Sequence, residues 1–181
     1  MYGYNNISNT IKTMQEKSAL LVIDVQRGFI NKYTKEIPSL IEQEQDSYDF
    51  VWSAQLEYKE SSPFLEIRRY SGFSDADSPE ELAFNLRPDA KTIFKHGYSA
   101  VTNKLSDELK ANNIIQIDLM GVDTDQCVLA TALALFDLGI TPRIVVDRCA
   151  STGGPEAHDA GVDVLRRALG DQNMIYRSPL D

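Results

Sequence analysis

An unbroken apolar run near the start of the chain is the feature that most restricts the fold. Residues 19–23 read Ala-Leu-Leu-Val-Ile, and Asp24 follows them directly. A strand with one face in solvent alternates apolar and polar residues, whereas a parallel strand covered on both faces is apolar throughout. The run therefore predicts a central strand of a parallel sheet that is covered on both sides.

Strand and helix patterns then alternate along the chain. We predict strands at 19–24, 48–54, 91–94, 114–120, 142–146 and 174–176. We predict helices at 37–45, 103–112, 124–138 and 155–169, and a long connection with a short helix at 57–88. This alternation predicts a three-layer α/β/α fold, with a mostly parallel sheet of five or six strands and helices on both faces.

Length and charge limit the class of protein. The 181 residues suit one domain, which we place at 18–181 after a polar arm at 1–17. The net charge of −9 argues against broad affinity for nucleic acid or anionic membranes. No apolar run approaches the ~20 residues of a membrane span. Two cysteines and the absence of a signal-like apolar segment lead us to expect a cytoplasmic protein.

Three chemically useful side chains come at the ends of predicted strands. Asp24 ends the first strand, Lys95 follows the third, and Cys127 follows the fourth. In open parallel sheets, ligands bind beyond the carboxyl ends of the strands, so we expect these three residues along one edge. A carboxylate, an ammonium and a thiol there could act as general base, charge stabiliser and nucleophile.

Cys127 falls in the first turn of the predicted helix at 124–138. The partial positive charge of a helix N-terminus favours a thiolate, and its N–H groups can hold an oxyanion. Each residue also has a purely structural interpretation. Asp24 could be a cap, Lys95 a solvated surface lysine, and Cys127 a small buried apolar residue.

The remaining cysteine and the two histidines are weaker candidates. Cys149 also follows a predicted strand, but no helix begins beside it, so a structural role is favoured. His96 adjoins Lys95 and could neighbour the thiol, whereas His158 suits a surface or capping position. The chain contains no HExxH, CxxC, GxxxxGK[ST] or GxGxxG motif, so we expect no metal and no cofactor.

Three segments in this order resemble the isochorismatase-like cysteine hydrolase family, which includes nicotinamidases and N-carbamoylsarcosine amidases. They are residues 19–29 (ALLVIDVQRGF), 94–100 (FKHGYSA) and 121–132 (GVDTDQCVLATA). A weaker fourth segment is 146–151, followed by His158 in a helix. The resemblance covers nearly all of residues 18–170.

The resemblance implies a catalytic triad of Asp24, Lys95 and Cys127. Cys127 would attack a carbonyl carbon, Asp24 would move the proton, and water would hydrolyse the resulting thioester. The resemblance also implies a cis peptide bond between Val122 and Asp123. The backbone N–H groups of Asp123 and Cys127 would then form the oxyanion hole.

One segment departs from the family pattern. Nicotinamidases carry metal-binding histidines after the second strand, whereas residues 53–64 here read SAQLEYKESSPF. We therefore expect no metal of the nicotinamidase type, and nicotinamide is in doubt as the substrate. Isochorismate-cleaving members lack the nucleophilic cysteine, so Cys127 favours hydrolysis of an amide or carbamoyl C–N bond in a small molecule. The alternatives are vinyl ether hydrolysis of the isochorismatase type, or a non-catalytic or redox protein that keeps the fold.

Residues that flank the triad in sequence are candidates for substrate contact. We assign this role to Gln26, Phe29, Tyr98 and Thr124. The family tends to form oligomers, so a homo-oligomer is expected. The arm at 1–17 and the segment at 57–70 are candidates for contacts with a neighbouring subunit.

Overall fold

Six parallel strands form one sheet in the computed structural model, which describes residues 17–57, 62–69 and 77–177. The strands are β1 (Ala19–Ile23), β2 (Phe50–Leu56), β3 (Lys91–Lys95), β4 (Gln116–Val122), β5 (Thr141–Ala150) and β6 (Met174–Ile175). Their order across the sheet is β3-β2-β1-β4-β5-β6, and every neighbouring pair is parallel. All of β1 is buried, which confirms the predicted central strand.

The helices are α1 (Ile37–Glu44), α2 (Pro63–Glu66), α3 (Asn103–Ala111), α4 (Leu129–Asp137) and α5 (Pro155–Leu169). Most boundaries differ from the sequence prediction by no more than two residues, and two differ by more. The helix predicted from Thr124 begins instead as a π-helical turn, Thr124–Val128, which leads into α4. Strand β5 continues to Ala150, so Cys149 lies within this strand rather than after it. The hydrophobic pattern could not reveal this extension, because residues 147 and 148 are charged.

The alternation of side chains along β1 divides the core into two layers. Leu21 and Ile23 belong to the cluster that includes side chains of α3, α4 and α5, among them Leu105, Leu135 and Leu165. Leu20 and Val22 belong to the cluster on the opposite face, with Ile37 and Ile41 of α1. Helices therefore cover both faces of the sheet, which confirms the predicted α/β/α arrangement.

Two glycines allow backbones to approach closely next to the carboxyl edge of the sheet. Gly121 in β4 has a φ of 127°, and a Cβ there would collide with the carbonyl oxygen of Ile23. A Cβ on Gly161 of α5 would lie 2.7 Å from Cα of Asp125, inside the turn that follows β4. The first contact brings β4 against β1, and the second brings the turn at 124–128 against α5.

The polar arm predicted at 1–17 lies outside the described residues except for Lys17. Lys17 Nζ donates a hydrogen bond to the carbonyl oxygen of Asn112, at 3.2 Å. Among the described helices, none combines the length and apolar character needed to cross a membrane.

Candidate active site

The three predicted catalytic side chains meet at the carboxyl edge of the sheet. Asp24 follows β1, Lys95 ends β3, and Cys127 lies in the π-helical turn after β4. Lys95 Nζ is 2.8 Å from Asp24 Oδ2 and 3.5 Å from Cys127 Sγ. The ammonium group therefore lies between the carboxylate and the sulfur.

This ion pair is almost completely removed from solvent. Asp24 and Lys95 are each 1% exposed. Lys95 Nζ also donates to the carbonyl oxygen of Gly97, at 2.8 Å, so its three N–H groups have three partners. Burial on its own would lower the pKa of Lys95, but the interactions of its ammonium group with Asp24 and with Cys127 outweigh burial and raise the pKa. Lys95 is therefore a permanent cation at neutral pH.

Burial also determines the protonation of the other two groups. It raises the pKa of Asp24, against the opposing effect of Lys95. Burial raises the pKa of Cys127 well above its usual value, and the nearby Asp24 charge adds to this increase while Lys95 opposes it. The resting sulfur is therefore a thiol. A position at the start of a helix would favour the thiolate, but burial of the sulfur away from water has the larger, opposite effect. Cys127 could therefore act as a nucleophile only if a nearby base took its proton.

The backbone of Asp24 adopts an unusual conformation. Its φ is 52°, in the left-handed region that non-glycine residues rarely occupy. Such a residue costs on the order of 1 kcal/mol or more and persists only where its surroundings hold it. The Asp24 N–H donates to the carbonyl oxygen of Ala54 at 3.0 Å, which extends the β1–β2 pairing and holds the turn in place.

A pocket with about 430 Å³ of empty space opens in front of the triad. Its inner surface is formed by residues from the carboxyl edge, namely Asp24, Val122, Asp123, Gln126 and Cys127. Its outer wall is formed by Phe29, Phe64, Arg68, Tyr98 and Thr152. Two of the four residues assigned to substrate contact, Phe29 and Tyr98, therefore lie in the wall.

The other two, Gln26 and Thr124, are not among the residues that line this pocket. The Gln26 amide group donates to the carbonyl oxygens of Leu56 and Glu80 and accepts from the Leu56 N–H, at 2.8–3.1 Å. Thr124 is fully buried, and its Oγ1 lies 2.8 Å from Nδ1 of His158. Their polar groups are used inside the protein, so both residues support the site rather than form its surface.

Asp123 connects the turn that carries Cys127 to the end of β5. The Val122–Asp123 peptide bond is cis, as the family resemblance implies. The Asp123 carboxylate accepts hydrogen bonds from the N–H and Oγ1 of Thr152, at 2.7 and 2.6 Å, and from Gln126 Nε2, at 3.1 Å. Its backbone oxygen accepts from the N–H groups of Gln126 and Val128. These bonds hold Asp123 at the floor of the pocket.

Four pocket residues were missed at the sequence level. Thr152 follows β5, so the strand-end rule could have found it, and Gln126 immediately precedes Cys127. Phe64 and Arg68 lie in and after α2, within a connection whose sequence has weak periodicity. No sequence signal indicates that this connection returns to the triad.

The remaining cysteine and the histidines have other partners. Cys149 is buried, its Sγ lies 3.6 Å from the carbonyl oxygen of Leu119, and burial raises its pKa to about 12. His96 Nε2 lies 3.5 Å from Oε2 of Glu57. Within the described ranges, no group of three or more His, Cys, Asp or Glu side chains converges as metal ligands would.

Comparisons with solved structures give the same fold. A pyrazinamidase/nicotinamidase from Streptococcus mutans superposes with a TM-score of 0.74 at 24% identity, covering 87% of this chain and 99% of that one. An N-carbamoylsarcosine amidase from Thermoplasma acidophilum superposes with a TM-score of 0.72 at 23% identity, covering 89% of this chain and 95% of that one. Identities this low establish the fold alone.

Comparisons of sequence identify the family. The bovine (Bos taurus) isochorismatase domain-containing protein 2 is 38% identical over 91 residues, which are 50% of this chain and 43% of that protein. The match thus spans less than half of that relative. An uncharacterized isochorismatase family protein of Bacillus subtilis, YrdC, is 24% identical over 83% of this chain and 82% of its own length. The isochorismatase domain model matches residues 18–173. Because that match covers most of the chain, the protein belongs to the isochorismatase family.

Proposed function

We propose that the protein is a cysteine-dependent hydrolase that cleaves the C–N bond of a small amide or carbamoyl compound through a thioester intermediate. The observation that carries the proposal is the buried Asp24–Lys95–Cys127 cluster at the base of an open pocket. Family relatives include proteins described as nicotinamidases and an N-carbamoylsarcosine amidase, which act on amides.

The first half of the reaction forms the thioester. Asp24 takes the thiol proton as Cys127 Sγ attacks the carbonyl carbon, and the carbonyl electron pair moves to oxygen. The tetrahedral intermediate then collapses, the C–N bond breaks, and Asp24 returns the proton to the departing nitrogen. Ammonia or an amine leaves, and the acyl group stays on sulfur.

The second half regenerates the enzyme. Asp24 takes a proton from water as the water oxygen attacks the thioester carbonyl. The C–S bond breaks, and the sulfur recovers the proton from Asp24 while the acid product departs. Each proton that Asp24 accepts is therefore returned within the same half-reaction.

Lys95 makes these proton transfers less costly. Negative charge moves from Asp24 to sulfur and back, and both atoms lie within 3.5 Å of the same ammonium nitrogen. A charge that moves around a fixed cation keeps most of its Coulombic stabilisation, which matters most in a site with little water. We assign the oxyanion hole to the backbone N–H groups of Asp123 and Cys127, which line the pocket floor.

Location and assembly are part of the same proposal. Both cysteines are free, which suits the reducing cytoplasm. We also propose a homo-oligomer, in which exposed apolar side chains such as Phe94 and Phe136 would be covered by a second subunit. Light scattering of the purified protein, read as molecular mass, tests the assembly.

The proposal is tested with purified protein and a panel of small amides and carbamoyl compounds, with release of ammonia or amine as the readout. We expect the Cys127→Ala variant to lose turnover by a factor on the order of 10⁴ or more. The matched Cys149→Ala variant should keep its turnover, because Cys149 lies inside β5. Mass analysis of acid-quenched wild-type protein should find an acyl group on Cys127. A Cys127→Ala protein that remained active would refute the proposal.

A further inference from the structure

A second cavity joins the outer side of the catalytic pocket. This outer groove has about 630 Å³ of empty space and is lined by Pro63, Phe64, Ile67, Arg68, Gly97 and Tyr98. Phe64, Arg68 and Tyr98 line both cavities, so they form a shared wall between the two. A molecule bound at Cys127 would have to extend past these three side chains to reach the groove.

The outer groove differs chemically from the pocket. Its surface is almost entirely apolar, whereas Asp24, Asp123 and Gln126 contribute polar groups to the pocket. Phe64 and Tyr98 meet edge to face, with their ring centroids 4.9 Å apart. Phe64 also packs with Leu56 and Phe29 in a small cluster separate from the two main core clusters. Packing against Leu56 and Phe29 thus holds the Phe64 ring in place beside Tyr98.

The apolar lining of the groove is not simply part of the hydrophobic core, as Ile67 shows. It lies just after α2 and is 81% exposed. A large apolar side chain in that state contributes nothing to the hydrophobic core of the described chain. Grooves of this kind beside a reactive group commonly hold the apolar part of a ligand, with a few polar groups nearby to orient it.

We propose that the outer groove binds an apolar extension on the acyl side of the substrate, so that the substrate class is an amide of an alkyl- or aryl-bearing carboxylic acid. This inference rests on the proposed amide hydrolysis at Cys127. The acyl side is assigned because the acyl group remains bound through both half-reactions. A groove that holds it therefore assists thioester formation and thioester hydrolysis, whereas a groove for the leaving amine assists only the first.

Gly97 offers a direct way to fill the groove. It has no positive φ, and a Cβ placed there meets nothing within 4 Å. A Gly97→Leu substitution thus adds a side chain to the groove without backbone strain. Its carbonyl oxygen, which accepts from Lys95, is retained because it belongs to the main chain.

The test compares acetamide, butanamide, hexanamide and 4-phenylbutanamide, with ammonia release as the readout. In the wild type we expect kcat/KM to be about tenfold or more higher for 4-phenylbutanamide than for acetamide, because apolar contacts discriminate by at least this factor. Gly97→Leu and Ile67→Ser should each reduce that ratio. The matched control is Ile115→Ser, because Ile115 is also exposed, at 64%, but precedes β4 at the opposite edge of the sheet. Its ratio should equal that of the wild type.

A second readout does not depend on turnover. Alkylation of Cys127 by N-hexyl iodoacetamide and by iodoacetamide is compared by mass, and the hexyl reagent should react faster in the wild type but lose this advantage in Gly97→Leu. If amides are hydrolysed without regard to chain length and the two reagents react alike, the groove proposal is overturned while the proposed function stands. If no amide is hydrolysed and Cys127 acquires no acyl group, the proposed function fails, and the assignment of a substrate class fails with it.

Discussion

Two buried aspartates at opposite ends of the sheet show how different surroundings give one side chain two roles. Asp118 lies near the start of β4, and Asp24 lies just beyond the end of β1. Both are 1% exposed. Asp118 accepts hydrogen bonds from Tyr48, Arg143 and Arg177, at 2.6–3.1 Å.

Asp24 has one charged partner, Lys95, and it faces an open pocket beside a thiol. A carboxylate that accepts hydrogen bonds from three side chains on different elements, as Asp118 does, holds those elements together. A carboxylate that shares one cation with a neighbouring thiol can gain and lose a proton at little cost. The number and kind of partners, rather than burial, therefore separate the structural aspartate from the reactive one.

Of the substitutions that test this comparison of aspartates, Asp24→Asn should have the largest effect. Asparagine keeps the shape of the side chain but cannot accept the thiol proton, so kcat should fall by roughly 10² to 10⁴. The matched variant is Asp118→Asn, for which kcat per folded molecule should stay at the wild-type value. Initial rates on the best amide of the panel make the comparison. Equal losses of kcat in the two variants would remove the proposed difference between the aspartates.

The second largest effect is expected on the stability of the Asp118→Asn variant. The Asp118→Asn substitution leaves Arg143 and Arg177 without their shared anion, so the free energy of unfolding should fall by about 3 kcal/mol. Urea denaturation followed by circular dichroism measures this change. An unaltered unfolding midpoint would show that the three hydrogen bonds contribute nothing net, and Asp118 would then lose its role as the structural counterpart.

The pH dependence of kcat/KM sharpens the same contrast. Because burial raises the pKa of Asp24 above the ordinary 3.8, the base is lost as pH falls through that raised value. The acid limb of kcat/KM should therefore lie above pH 3.8. The acid limb of kcat/KM should lie at the same pH in the Asp118→Asn variant, because Asp118 lies at the opposite end of the sheet from the thiol. An acid limb at or below the ordinary aspartate pKa would contradict the assignment of Asp24 as the base.

A smaller effect on stability is expected for Arg143→Gln. The Arg143 side chain is 32% exposed, so its bond to Asp118 is partly screened, and Tyr48 and Arg177 continue to occupy the carboxylate. The free energy of unfolding should fall by about 1 kcal/mol. Lys35→Gln, which removes an exposed ion pair with Glu36, should change it by less than about 0.5 kcal/mol. The same urea experiment on both variants tests this order.

The sheet and its catalytic edge could be predicted from the sequence because both depend on local patterns. The run at 19–23 is apolar at every position, and a parallel sheet places the ends of its strands at one edge. The proximity of Asp24, Lys95 and Cys127 could therefore be predicted from the sequence alone. The pKa of Cys127 could not be predicted in this way, because its increase depends on how completely the folded chain excludes water from the sulfur.

The walls of the pocket were less accessible to prediction. Proximity in sequence to the triad correctly placed Phe29 and Tyr98 at the pocket, but the same reasoning failed to foresee that Gln26 turns inward. Phe64 and Arg68 reach the pocket from α2, and the path of that connection depends on tertiary contacts. Side-chain direction in a turn is set by the partners available to its polar atoms, which sequence alone does not give.

The inward position of Gln26 has a consequence for how the sequence of this protein can change during evolution. Its amide group recognises only main-chain atoms, those of Leu56 and Glu80. Any amino acid with a backbone N–H at position 56, and any at all at position 80, can satisfy these bonds. The hydrogen bonds of Gln26 therefore do not restrict which side chains occupy positions 56 and 80. Substitutions at positions 56 and 80 can therefore change the side chains beside Gln26 while its hydrogen bonds stay intact.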